Sequence, residues 1–407
     1  MNFSAFPAYT KFDPAVPVCC VTPGHGRTIH RFFDTSPISP DGRYLAATVL
    51  PYENHPQSPG DTAEILLVNL ETGEERVISE TRGWGTQVGA NVQWSDAHTL
   101  VYNDADSDWN PHLVKYDVRS GEMQRMGNGV FMLSPDGRYA LTHNLAKSRV
   151  TQPGYGVMVP DERIGTNGEH PEDDGFYITD LVSGECRLHM PLARIIDEGI
   201  DRRKPFINGG FYGFQCKWSP DGKRIMYVVR WLSNDSDVRR NQVFTSDADG
   251  GNVRLALHWK EWDKGGHHVN WHPDSTHITM NLHHNSDRLK FVIFGCDGSD
   301  LHAICEHITG SGHPTVHDSG NYILTDAYRV DRCAYPDGTT PLRLIDLRSG
   351  TERELVRMMT KTNDLERGEW RLDPHPAWSY DRRYVIFNGY DGGTRRVYVA
   401  DMAGALT

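Results

Sequence analysis

A short strand, a tight turn of the Ser-Pro-Asp-Gly type and a second strand recur seven times along the chain, and this repeat limits the possible folds more than any other feature. The instances are SPISPDGRYLAATVL from Ser36, VQWSDAHTLVYND from Val92, VFMLSPDGRYALTHN from Val130, CKWSPDGKRIMYVVRW from Cys216, VNWHPDSTHITMNL from Val269, PTVHDSGNYILTDAY from Pro314 and PAWSYDRRYVIFNGY from Pro376. Asp and Gly suit tight reversals, because Gly accepts positive φ and Asp bonds its own backbone. Alternating apolar and β-branched residues mark the flanks as strands. A second hairpin often follows, as in ILLVNLETGEERVI, FYITDLVSGECRLH and LRLIDLRSGTEREL. Two hairpins make one four-stranded blade, so the chain is expected to be all-β: a seven-bladed β-propeller forming one domain over residues 1–407, with blade turns near 41, 96, 136, 221, 274, 318 and 381. The last blade shows a third strand, RRVYVADM, and the N-terminal segment is expected to complete it.

Composition narrows the class further. The chain of 407 residues carries a net charge of -12, which argues against nucleic acid or an anionic membrane as partner. No stretch approaches the roughly 18 apolar residues of a membrane helix. The N-terminus MNFSAFPAYTKF has neither the basic start nor the apolar core of a signal peptide. The seven cysteines are scattered and include no CxxC pair, which fits a reducing compartment. A cytoplasmic location is the resulting expectation. No GxSxG elbow, Walker loop, HExxH or dinucleotide fingerprint is present.

In a propeller the first strand of each blade lines the axis. The residues before first strands and after second strands then share the face opposite the Ser-Pro-Asp-Gly turns. His30, Asn91, Tyr212, His267, His268, His313 and His375 precede first strands. His143, Arg230 and Tyr328 are among those that follow second strands. A long loop, from about Asn144 to Gly175, opens on the same face and holds Tyr155 and Arg163; loops of that length are usually functional. His268, His313 and His375 occupy matched positions in three consecutive blades, as three ligands of a divalent metal (Zn, Mn or Ca) or a proton-transfer site would. The bland alternative is histidines bonded to nearby backbone. Tyr155, between glycines in QPGYGV, suits sugar stacking or proton transfer, or else anchors the loop. Arg230 suits a bidentate clamp on a carboxylate, or else a structural ion pair. His112 opens an outer strand, where a surface histidine is the plain reading. Trp94, Trp218, Trp271 and Trp378, just before the turns, read as blade packing.

The segments TIHRFFDTSPISPDG, GANVQW, QPGYGV, GGHHVNW, GSGHPTVH, LTDAY and DPHPAWSYDRRYVIFNGYDGGTRRVYVADM together resemble the propeller-fold polysaccharide lyases. The ulvan lyases are most alike and the oligogalacturonate lyases more distant. The resemblance spans nearly the whole chain. It implies β-elimination on a 4-linked uronic-acid glycoside such as a glucuronate- or iduronate-containing oligosaccharide or polysaccharide. A tyrosine or histidine would take the C5 proton, and an arginine or metal would neutralise the carboxylate. By position, Tyr155 resembles the family's catalytic tyrosine, Tyr212 a second active-site tyrosine, and His112 one of two histidines. Asn91 stands where the other histidine would be. Arg163 and Arg230 are both candidates for the clamp. His30, Asn91, His143 and Tyr328 are expected to bind substrate, and His268, His313 and His375 the metal. A hydrolase or epimerase using the same funnel, and a non-catalytic glycan- or protein-binding propeller, are the competing readings.

Overall fold

The computed structural model of the protein describes residues 1–200, 206–362 and 368–406. Each repeat folds as a four-stranded antiparallel sheet, and there are seven such blades among the described residues: the fold is a seven-bladed β-propeller. The first, third, fourth and seventh blades share one turn chemistry. Asp41 Oδ1 accepts from the Ser39 hydroxyl at 2.6 Å and from the Arg43 amide at 3.1 Å, while Gly42 takes a φ of +73°. Ser134 with Asp136, Ser219 with Asp221 and Ser379 with Asp381 repeat the pattern. In the seventh turn Arg382 replaces the glycine at a φ of +59°, and its guanidinium reaches Asp318 at 2.8 Å. The tryptophans before the turns are packing residues. Trp94 Nε1 donates to Pro37 O at 2.8 Å and Trp271 Nε1 to Lys217 O at 3.0 Å, each a carbonyl on the preceding blade.

Contacts divide the chain into two compact units. One comprises Met1–Asp104, Val114–Gln124 and Ser311–Thr407; the other comprises Ala105–Leu113 and Arg125–Gly310. Within the first unit the strands Ala377–Trp378, Tyr384–Asp391 and Thr394–Asp401 make three quarters of the last blade. Its fourth strand is Val18–Cys20, antiparallel to Thr394–Asp401 with Val18 opposite Ala400, as the missing strand in the repeat led one to expect. Val18 and Val21 are buried there. Deleting residues 1–21 is expected to cost at least roughly 1.5–3 kcal/mol for each of these two valines and to leave the 394–401 strand as a bare edge. Urea denaturation of the truncated chain checks this; an unchanged midpoint would count against the closure. No helix among the described residues is long and apolar enough to cross a membrane.

Candidate active site

In the second unit the long loop is organised around Tyr155. Gly154 and Gly156 flank it at φ of +89° and +82°. A Cβ at position 156 would lie 2.3 Å from Leu145 O, so only glycine lets the chain turn this close. The turn drives Tyr155 inward to 8% exposure, with its ring edge on Phe214 at 5.4 Å between centroids. Arg230 lies over the same ring, its guanidinium carbon 3.5 Å from the Phe214 centroid. Arg230 Nη1 donates to Thr151 O at 2.5 Å and to Gln152 Oε1 at 3.1 Å, both in the long loop. Arg239 reaches the same two oxygens at 3.5 and 3.4 Å.

Arg230 is 6% exposed, and no carboxylate among the described residues pairs with it. Burial first, then the neighbouring Arg239, pushes its pKa well below the usual arginine range; Tyr155 is close enough to oppose that shift. Tyr212 lies directly across the sheet from Arg230 in register, and its hydroxyl accepts from the Asn167 amide at 3.1 Å. His143 packs on Phe131 and Phe214, bonds Ser148 Oγ at 2.9 Å, and is driven by burial to a pKa of about 3. His112, with Nδ1 3.4 Å from Asn110 O, is the second residue of the strand Pro111–Asp117 and is buried, so the plain reading of a surface histidine does not hold. Ala105 and Trp109 of that hairpin join Leu145, Val157, Val159 and Ile164 of the long loop in one apolar cluster. Arg163 is exposed at the end of a short 3₁₀ turn, Asp161–Arg163, and Arg149 is paired with Asp161. Tyr155 and Arg230 of the fourth blade therefore share the Phe214 ring.

The first unit holds a different cluster. The His313 and His375 rings stand perpendicular with centroids 4.3 Å apart, and the ligand atoms of His313, Asp373 and His375 all lie within 4.8 Å of one another. All three residues are buried. Phe32 walls the pair at 5.6 and 4.7 Å, and Phe33 lies 5.3 Å from His313. Both ring nitrogens of His375 are buried without a hydrogen-bond partner, and burial, then His313 and His30, holds that imidazole neutral. Asp326 bonds His313 Nδ1 at 2.9 Å; burial pushes its carboxyl up, but His313 outweighs that and the net shift is downward. Asp373 accepts from Arg371 Nε at 2.7 Å.

Of the other residues expected here, Tyr328 lies 5.6 Å from the His313 ring, with Arg371 at 5.8 Å over its own ring. His30 is fully buried, its amide bonded to Asn388 Oδ1 at 2.9 Å, and burial lowers its pKa to about 3. Asn91 accepts from Arg31 Nε at 2.5 Å, in a knot completed by Asp34 and Thr35. His268 belongs to the second unit. It sits at a φ of +59° in a bulged strand, with Nδ1 3.0 Å from His267 Nδ1. The structure thus brings His313 and His375 together and supplies a carboxylate, Asp373, beside them. Asp373 and Asp326 were not singled out from the sequence. The D-x-H spacing of LDPHP was the available signal for the first; the second depends on strand pairing.

No protein-family model and no curated protein sequence matches the chain. Solved structures do. Oligogalacturonate lyase from Vibrio parahaemolyticus is 14% identical with a TM-score of 0.67, covering 99% of this chain and 98% of that one. An oligogalacturonate lyase in complex with manganese is 15% identical with a TM-score of 0.66, covering 97% and 96%. The β-propeller domain of the Trilobed protease from Pyrococcus furiosus is 12% identical with a TM-score of 0.52, covering 91% and 96%. The shared feature is the propeller. At these identities the likeness establishes the fold alone, and chemistry has to be argued from the residues.

Proposed function

We propose that this chain is a lyase that cleaves a 4-linked uronic-acid glycoside by β-elimination. The observation that carries the reading is Arg230: a buried guanidinium, without an acidic partner among the described residues, on the same aromatic ring as Tyr155. A buried unpaired charge costs several kcal/mol, which an anionic ligand would offset. The C5 proton of a uronate becomes removable only when its carboxylate is neutralised, and a guanidinium beside a proton-transfer group meets both needs. Arg230 is then the clamp in preference to the exposed Arg163. Tyr155 takes or returns the proton, His112 is its partner, and Tyr212 helps position the sugar. The substrate class follows from the resemblance to ulvan lyases and from the oligogalacturonate lyases among similar structures. The test is ultraviolet absorbance of the unsaturated uronate product, measured across ulvan, oligogalacturonate and other uronate-containing chains. A hydrolase or a binding module would produce no such chromophore on any of them.

The set His313, Asp373 and His375 fits a divalent ion. Its donors are buried and close, His375 has two unbonded ring nitrogens, and Asp326 backs His313. Imidazole-bearing sets favour Mn or Zn over Ca, which prefers oxygen throughout, and one of the similar lyases is in complex with manganese. When bound, such an ion supplies a fixed positive charge for an anionic group. His375→Ala is expected to weaken Mn²⁺ binding at least about 100-fold in calorimetric titration of chelator-stripped protein. Binding equal to the parent would remove the assignment.

A further inference from the structure

One buried carboxylate ties together the two chain segments that carry the histidine pair. Asp326 follows the strand Tyr322–Thr325 of the sixth blade. Its Oδ1 accepts from the His313 amide at 2.6 Å, and its Oδ2 accepts from the His375 amide at 3.2 Å. Both oxygens also lie at hydrogen-bond distance from His313 Nδ1, at 2.9 and 3.0 Å. The residue is 1% exposed. Gly312, at a φ of +61°, lets the chain pass over it: a Cβ there would lie 2.2 Å from both the Asp326 backbone and side-chain oxygens. His375 also takes a positive φ, +50°, a conformation rare for a non-glycine residue and sustained here by surrounding contacts.

A buried, acceptor-only carboxylate against one ring nitrogen decides where an imidazole carries its proton. We propose that Asp326 is the positioning residue of this centre: it fixes His313 as the Nδ1–H tautomer, so that Nε2 is the ligating nitrogen, and it sets the His313–His375 spacing by holding both amides. This rests on the metal reading given above, but the tautomer is independent of whether an ion binds. Carboxylate-backed histidines of this kind orient a metal ligand and raise its basicity. The carboxylate is shared with the backbone of the second histidine's own segment, so orientation and spacing are set by one side chain.

The experiment has two arms. In the first, long-range ¹⁵N–¹H correlation spectra of the histidine-labelled wild type, with His313 assigned by His313→Gln, should show a proton on Nδ1 and a Zn²⁺-induced shift confined to Nε2. A proton on Nε2 overturns the proposal whatever the ion does. In the second, Asp326→Asn keeps the shape but leaves one acceptor oxygen where two now serve both histidine amides and Nδ1–H, so one amide loses its acceptor and the Nδ1–H tautomer is held more weakly. Mn²⁺ affinity should fall by about 10–100-fold in a variant whose circular dichroism matches the parent. A folded variant that binds Mn²⁺ within about twofold of wild type would also overturn the role. Should Asp326→Asn fail to fold, the first arm decides, since it uses wild-type protein. A wild type that binds neither ion removes the metal reading, while the Nδ1 proton still tests Asp326 separately.

Discussion

Arg230→Met is expected to lower turnover by about 10²–10³-fold, the usual worth of an electrostatic contact to charge that develops in the transition state, while the protein melts no earlier than the parent. The two halves of this expectation have different origins. Methionine fills much of the same volume and keeps the contact with Phe214. It loses a charge that burial and Arg239 both oppose, and replacing a buried charge by an apolar side chain is often neutral or stabilising. A structural arginine behaves the other way: its loss lowers the melting point and touches activity only through folding. The measurement is therefore paired, with kcat from the absorbance assay and Tm by calorimetry. Lower Tm with normal kcat per folded molecule would assign Arg230 to holding the loop at Thr151 and Gln152.

Tyr155→Phe is expected to cost about 10²–10⁴-fold in kcat, the range for general acid–base catalysis, with KM nearly unchanged. The ring, its edge contact to Phe214 and the two flanking glycines all remain, so the loop should keep its path. Only the ionisable group is lost. Phenols are weak bases near neutral pH unless a cation favours the phenolate, and the proposal gives that part to Arg230, on the same Phe214 ring. If the Phe variant retains more than about a tenth of the activity, outside the range for general acid–base catalysis, Tyr155 is an anchor or stacking surface and the proton passes to His112.

The blades were legible because each is local: the Ser-Pro-Asp-Gly turn closes on itself, Asp41 with Ser39 and Arg43, and strand alternation does the rest. Tyr155 was legible as a special loop residue because two glycines announced a backbone that other residues resist. The histidine trio was read from equivalent positions, and two of its members, His313 and His375, meet within the first unit. His268, in the second unit, takes a positive φ as His375 does, and its ring lies against His267. The meeting of Tyr155 and Arg230 on the Phe214 ring was hidden in the sequence. Arg149 is satisfied by Asp161 inside its own loop, and only strand register carries Arg230 beneath that loop. Asp326 stayed unseen because nothing local distinguishes a buried carboxylate at the end of a strand; its partners are the amides of two other segments.

The strand Val18–Cys20 sets a clock on biosynthesis. Blades made of consecutive hairpins can form as their residues emerge, but this strand pairs with Thr394–Asp401 and has to wait for almost the entire chain. At about 5–20 residues per second, the interval between synthesis of Val18 and of Ala400 is roughly 20–80 s. Throughout it, the apolar run Val18–Val21 has no native edge to join, and the long loop it finally closes makes the pairing entropically late. Stalled or prematurely terminated chains would therefore carry at most six blades able to assemble and one adhesive N-terminal segment, the species a chaperone would be expected to engage first.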